Sequence, residues 1–362
     1  MKIAIGIDVG ISTTKIVGIK NNEVVRPLRI KATDPVTSLY GAFGKYLYDN
    51  KIDLNDVGKV MLTGVGSAYI DKPVYGLPTE KADEFLADGL GAQFESNLDR
   101  MIVVSMGTGT SLVLCDGDNI RHIGGIGIGG GTLNGLSRLL LNTDDIHQIS
   151  DLAKKGNIAN INLQISDISS KPLPGLPMNA TASLFANAHG NAKIEDVALG
   201  LICLVLQSIG SASILSALNS GIKNFVMIGN LSRLPQCKIL FPMMERLYNV
   251  NFLIPKYSEY CTAIGAALQA SNRLVFSNLL QANKMGIKDK ITNNPHVAIT
   301  GATGNGKSYL TKLLFTLNSF LKIKSVYIDP KAEMRSQYMK ILKEYEEQNI
   351  YEEVQEYIKS IH

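Results

Sequence analysis

Three apolar runs in this chain each end in a glycine turn, and their repetition most constrains the fold. "IAIGID" leads into the turn 10–14, "MIVVS" into 107–111 and "FVMI" into 229–232. Short runs rich in Ile and Val and closed by glycine read as strands. Around them, "TKIVGIKNNEVVRPLRI" reads as two further strands and "VGKVMLTGVG" as a strand with its turn, while "SLYGAFGKYLYDN" and "TEKADEFLADGLGAQFESN" have helical apolar spacing. "DRMIVVSMGTGTSLVLCDGDNIRHIGGIGIGGG" reads as a strand hairpin with a glycine-rich return feeding the helix "TLNGLSRLLL". Residues 193–220 read as one long buried helix, and "CTAIGAALQASNRL" as a closing one. Strand, turn and helix alternating through both halves predict an α/β protein of two similar lobes, dividing near residue 110. No fixed-period repeat or low-complexity tract interrupts the pattern.

A strand that ends in a glycine turn leaves backbone N–H groups unpaired, and several such groups together hold a phosphate chain. Ser12, Thr13, Thr14, Thr108 and Thr110 add hydroxyls, and Lys15 adds positive charge. Asp8, at the end of the first strand, is suitably placed to hold Mg²⁺ through water. Each turn alone also fits an ordinary hairpin, and Asp8 alone also fits a cap. Their combination in order carries the signal.

The bulk properties agree with a small anionic ligand. With 362 residues and 45% hydrophobic content the chain buries a substantial core. A formal charge of +4 with 19% charged residues announces neither nucleic acid nor membrane as the main partner. Cys115, Cys203, Cys237 and Cys261 are scattered without metal-ligand spacing and read as reduced core thiols. Asp8 and its neighbouring glycines interrupt the first apolar run before it could serve as a signal or membrane span, so a cytoplasmic location is expected.

"GIDVGISTTK", "SMGTGTS", "GGIGIGGGT" and "VMIGN", in this order, resemble the actin-like (ribonuclease H-like) sugar-kinase superfamily, in which two lobes close on ATP. "DEFLADGLG", "GIGGGTLNGLSRLLL", "GLPMNATASLFAN" and "SEYCTAIGAAL" further resemble type II pantothenate kinases, over roughly residues 1–272. The resemblance implies Glu84 as the catalytic base, Asp8 as the Mg²⁺ holder and Gly10, Ser12, Thr13, Thr14 and Lys15 along the phosphates. It implies Thr108 on them from the other lobe, Gly130, Gly131, Thr132 and Asn134 along the nucleotide, and Asn230 near the nucleoside. Tight helix–strand packing would equally require the three glycines. A homodimer built through helices of the second lobe is also implied. Where the family carries an Arg before the glycine return this chain has His122, with Arg121 displaced by one, and Ile126 stands where Thr or Ser is usual. Arg121 and His122 are therefore the candidate acceptor-binding residues. The opening "GIDVGISTTK" also resembles ATP-dependent activators of 2-hydroxyacyl-CoA dehydratases, whose iron–sulfur cysteines sit in glycine-rich contexts that no cysteine here shares.

A second nucleotide motif follows a polar linker at 273–294. "GATGNGKS" fits GxxxxGK[ST] with Gly301, Gly306, Lys307 and Ser308, between the strand "HVAIT" and the helix "SYLTKLLFTLN". "IKSVYIDPKAE" resembles the next strand of conjugative-transfer ATPases, but no later apolar strand ends in an Asp that could hold Mg²⁺. Residues 295–362 are therefore expected to be a short, truncated P-loop βαβ module with a charged helical tail. A nucleotide-binding regulator or DNA-transfer component is the corresponding alternative function.

Overall fold

The computed structural model describes residues 2–270 apart from 32, 33 and 172. They belong to the first of two compact units, Met1–Leu279 and Leu280–His362. The sequence-predicted linker, P-loop and charged tail lie outside the described residues.

The chain starts with the hairpin meander β1 (Ile3–Val9), β2 (Thr13–Lys20) and β3 (Glu23–Lys31). Every residue of β1 is buried, as a strand covered on both faces requires. Asn21 and Asn22 turn β2 into β3 with φ of 52° and 63°, left-handed values that Asn tolerates and tight hairpins need. Helix α1 (Pro35–Asn50) follows, started by Pro and by the Asp34 carboxylate accepting from the Thr37 N–H. Its buried residues Leu39, Ala42, Phe43 and Tyr46 recur at helical spacing and cover one face of the sheet. Strands β4 (Val57–Thr63) and β5 (Thr79–Lys81) then complete the order β3-β2-β1-β4-β5, with β4 parallel to β1 and β5 parallel to β4. Helix α2 (Glu84–Ser96) leaves this sheet.

The second half repeats the topology. Strands β6 (Arg100–Met106), β7 (Thr110–Asp116) and β8 (Asn119–Ile126) form the antiparallel meander. Helices α3 (Gly130–Leu141) and α4 (Ile146–Ala153) follow, then a small excursion of β9 (Leu163–Gln164), α5 (Ile165–Ile168) and β10 (Thr181–Ser183). The long helix α6 (Ile194–Ser216), β11 (Asn224–Ile228), α7 (Cys237–Tyr248) and β12 (Asn251–Leu253) complete it. The order is β12-β11-β6-β7-β8, with β11 and β12 added in parallel to β6. The expected division near 110 falls between β6 and β7, which pair with each other; by sheet membership the second half begins at β6. Helix α6 is long and apolar enough by composition to cross a membrane. Its Leu201, Ile202, Val205, Leu206 and Ile209 are instead buried with residues of α3, α4 and the second sheet.

Two helices join the halves. Helix α2 packs on the second sheet through Ala92, Met101, Val103, Val113 and Cys115, while the closing helical residues 261–270 pack on the first through Ala4, Met61, Ala266 and Ala270. They cross at glycines. A Cβ on Gly91 would overlap the Cys261 carbonyl, and one on Gly265 would overlap the Ala87 carbonyl. Gly6 of β1 is equally close to the Ala263 carbonyl. Backbone against backbone, these contacts fix the closing helix against both α2 and β1.

Candidate active site

The first glycine turn holds a charged pair. Asp8 and Lys15 are direct partners in the β1–β2 register, and Lys15 Nζ lies 3.1 Å from Asp8 Oδ2, with both residues buried. Gly10 N–H donates to the Thr13 carbonyl at 3.0 Å and closes the turn. At the end of neighbouring β4, Gly64 has φ +81° and a Cβ there would stand 2.6 Å from Asp8 Oδ1, so glycine leaves room for the carboxylate. Thr63 pairs with Asp8 in parallel register and is buried with an unpartnered Oγ1. Ser12 is exposed and Thr13 half-buried at the turn. Thr14 departs from the expectation: it aligns with Val9, on the face opposite Asp8 that α1 covers, and its fully buried hydroxyl has no partner there.

The third turn meets the first. Gly229, with φ +88°, brings the chain against the end of β6, where a Cβ would stand 2.6 Å from the Met106 carbonyl. The next residue, Asn230, donates from Nδ2 to Thr13 Oγ1 at 3.4 Å, while its own Oδ1 is buried without a partner. Thr108 is exposed on the second turn. The amides expected along a nucleotide are otherwise committed: Gly130 N–H donates to the Gly107 carbonyl and Gly131 N–H to the Thr108 carbonyl, each at 2.8 Å. A Cβ on Gly129 would stand 2.6 Å from the Thr108 carbonyl, and one on Gly131 2.9 Å from Thr108 Cγ2. These glycines bolt α3 to the second turn, which is the packing role. Thr132 donates to the Gly127 carbonyl and accepts from the Gly129 N–H, and Thr110 donates to the Ile128 carbonyl, so both hydroxyls are used within the loop. Asn134 is half-buried further into α3.

Glu84 is the first residue of α2, whose cap Asp83 accepts from the Leu86 N–H at 2.7 Å. Glu84 is exposed as a residue; partial loss of solvation at its carboxylate raises its pKa, Asp8 raises it further, Lys15 opposes, and Asp83 adds a smaller increase. Glu84 therefore feels the Asp8–Lys15 pair although 76 residues separate it from Asp8 in the chain. One turn on, Asp88 is 1% exposed and accepts from the Thr262 hydroxyl at 2.6 Å.

Of the two candidate acceptor residues, His122 reaches this place and Arg121 does not. The His122 ring stacks on Phe85, next to Glu84, with centroids 4.1 Å apart and planes 17° apart. Arg121 is one residue away on β8, hence on the opposite face, aligned with Leu114, which packs with α6. Ile126 packs in that same apolar layer. Phe85, Asp88, Thr63 and Thr262 were not singled out from the sequence; the i, i+4 spacing of Glu84 and Asp88 was the one available signal. A cavity of about 640 Å³ beside the third turn is lined by Arg233, Phe241, Phe252, Ile254, Lys256 and Glu259, and none of the first-turn residues reaches it.

All four cysteines are free and buried, in keeping with core thiols, and burial raises the pKa of Cys115, Cys203 and Cys237 to about 12. Among the described residues no three His, Cys, Asp or Glu side chains gather as a metal cluster. The P-loop residues Gly301, Gly306, Lys307 and Ser308 lie outside the described residues.

A family model described as Fumble matches residues 91–269, and one described as an AAA-like domain matches 273–359. The type II pantothenate kinase of Staphylococcus aureus strain USA300 is 32% identical over 188 residues, 51% of this chain and 66% of that protein. The uncharacterized protein YddE of Bacillus subtilis strain 168 is 44% identical over 89 residues, 25% of this chain. The chain thus spans 10% of the length of YddE and 66% of that of the kinase. Among solved structures, the activator of 2-hydroxyisocaproyl-CoA dehydratase from Clostridium difficile, with bound ADPNP, has a TM-score of 0.56 at 19% identity, covering 76% of this chain and 97% of its own. Component A of (R)-2-hydroxyglutaryl-CoA dehydratase from Acidaminococcus fermentans has a TM-score of 0.52 at 20% identity, covering 74% of this chain and 97% of its own. The architecture is the expected one: a mixed α/β fold with two sheets, of the two-lobed actin-like kind. The sequence-level likeness to a type II pantothenate kinase extends over half of the chain.

Proposed function

We propose that this chain is an ATP-dependent kinase that phosphorylates a primary hydroxyl of pantothenate or a close analogue. One observation carries the reading: the Glu84 carboxylate, on an exposed residue at the start of α2, stands within electrostatic reach of the Asp8–Lys15 pair, with its proton affinity raised by partial loss of solvation and by Asp8. A general base works best when its pKa approaches the operating pH, and here both causes push Glu84 that way. The acceptor hydroxyl gives its proton to Glu84 as its oxygen bonds to the γ-phosphorus and the bond to ADP breaks. Phosphoryl transfer otherwise needs positioning and charge neutralisation. Lys15 supplies the cation, the 10–13 turn and Thr108 flank the phosphates, and Asn230 reads the nucleotide beside Thr13. The donor set fits Mg²⁺, which takes one or two carboxylates and completes its shell with phosphate and water: Asp8 would hold it, with the unpartnered Thr63 hydroxyl alongside, and it would neutralise the transferring phosphoryl group.

The acceptor pocket departs from its relatives. With Arg121 on the opposite face of β8, acceptor recognition beside Glu84 would rest on the imidazole and ring face of the stacked His122 and Phe85. A coupled ADP-release screen over pantothenate, pantetheine and related primary alcohols tests the reading; turnover with at least one is expected, and none with any rejects it.

A second reading is favoured by the AAA-like match at 273–359: nucleotide binding through Lys307 in a DNA-transfer or regulatory role. DNA-stimulated ATP hydrolysis lost in Lys307→Ala supports that reading; its absence leaves the N-terminal unit as the working part. The dehydratase-activator reading has the fold and the opening motif in its favour, and an iron-free protein rejects it. We further expect a cytoplasmic homodimer. Its support is apolar exposure at the ends of α3 and α6, where Leu139, Leu140, Leu215 and Leu218 all face solvent.

A further inference from the structure

The proposed reaction makes no use of an ion network at the edge of its site. On the face of the first sheet that carries Asp8, strand register sets four side chains in one row. Arg29 of β3 is opposite Lys15 of β2, Lys15 is opposite Asp8 of β1, and Asp8 is level with Thr63 of β4. Arg29 ends this row on the edge strand, and its partner comes from the far end of the described chain. Arg29 Nε lies 3.6 Å from Glu259 Oε2, and Arg233 Nη1 donates to that same oxygen at 3.2 Å. The Glu259 side chain is 13% exposed, against 33% and 42% for the two arginines, so the shared carboxylate is the member held away from water.

Arg233 ends the short helical turn Asn230–Arg233, whose first residue donates to Thr13 of the first glycine turn. Glu259 is the middle residue of the turn Ser258–Tyr260, which leads into the closing helix. These two turns are fastened together: Gly229 N–H donates to the Ser258 carbonyl at 3.0 Å, and the buried Ser232 and Ser258 hydroxyls lie 2.7 Å apart. Neither bond reaches the first sheet. Glu259 does, and so joins the third turn to the strand beside Lys15. One exposed ion pair contributes little, but a carboxylate shared by two guanidinium groups gains from both, and its removal leaves two like charges side by side.

We propose that Glu259 is a positioning residue for ATP: by holding Arg29 and Arg233 together it presets the third glycine turn against the first, so that Asn230 meets the nucleotide already in place. It acts through Asn230 and not on the reacting atoms. A device of this kind lowers the ordering cost of binding, so its loss is read in ATP affinity and not in the chemical step. The inference rests on Asn230 reading the nucleotide, as in the function proposed above, and the test separates the two.

ATP affinity is measured by calorimetry, without acceptor, on the full chain as wild type, Glu259→Gln, Asn230→Ala and the double variant. Glutamine keeps the length of the side chain and removes its charge. Glu259→Gln is expected to weaken ATP binding about three- to tenfold, the range for losing two screened ion pairs. In the Asn230→Ala background the same substitution is expected to add nothing, because the group it positions is gone. In the ADP-release assay KM for ATP should rise by a like factor while kcat stays within about twofold, since the chemical step is untouched. Unchanged ATP affinity in Glu259→Gln overturns the proposal, and so does a full additive loss in the double variant. Tighter binding also overturns it, because the released arginines would then be engaging the phosphates themselves. Should Glu259→Gln not fold, Arg29→Gln replaces it: it cuts the network at the edge strand and must show the same loss and the same non-additivity with Asn230→Ala. If no alcohol supports turnover, the kinase reading fails while the affinity cycle still decides the role of Glu259. If turnover is found and the cycle is additive, the kinase reading stands and this proposal falls.

Discussion

Glu84, Asp8 and Lys15 come from three elements, α2, β1 and β2, and their chemistry can be tested one side chain at a time. Glu84→Gln keeps the shape of the helix start but cannot accept a proton, so acceptor-dependent ADP release should fall by about 10²–10⁴-fold while calorimetric ATP affinity is retained. Because partial loss of solvation and Asp8 raise the Glu84 pKa, the acid limb of kcat/KM should lie above 4.5; rate is lost as pH falls through it because the protonated carboxyl is no longer a base. A limb at or below 4.5 contradicts the assignment. At this scale the glycine turn draws attention to Asp8 and Thr13 in the sequence, and the resembling motif to Glu84. Thr14 was misread because alternation in β2 sends it to the face opposite Lys15. The Asp88–Thr262 hydrogen bond was invisible because its partners lie 174 residues apart.

Among elements, the informative positions are the crossings. Gly91→Ala places a methyl group on the Cys261 carbonyl, a backbone atom that cannot step aside, and should cost about 1–3 kcal/mol in thermal or denaturant unfolding. An unchanged midpoint would mean that the helices separate freely. The long strands and helices were readable from apolar periodicity, and so was the glycine return. The glycines at 129–131 illustrate where pattern reading stops: a tight turn for phosphate and a tight seat for α3 demand the same residue, and only the Gly130 and Gly131 hydrogen bonds decide for the seat. Strands β5, β9, β10 and β12 have two or three residues each, too few for any period to show.

Across the whole molecule, two copies of one topology face each other, and Asn230 links the third turn to the first. Asn230→Ala should weaken ATP binding by roughly tenfold, the range expected for one lost polar contact, with little change in thermal stability; unaltered affinity would remove Asn230 from the site. The double substitution Leu139→Glu with Leu140→Glu should convert the expected dimer to monomer in light scattering, and a wild-type monomer would refute the dimer itself. Duplication was legible as a rhythm of strand, turn and helix, but which strands share a sheet was not, since β6 leaves the first half only through pairing with β7 and β11. The glycine crossing has one more consequence. Where carbonyl meets Cα no side chain stands between these two helices, so their relative rotation is set by the polar bonds that flank the crossing, Thr262 to Asp88 on one side and Gln269 to the Asp83 carbonyl on the other.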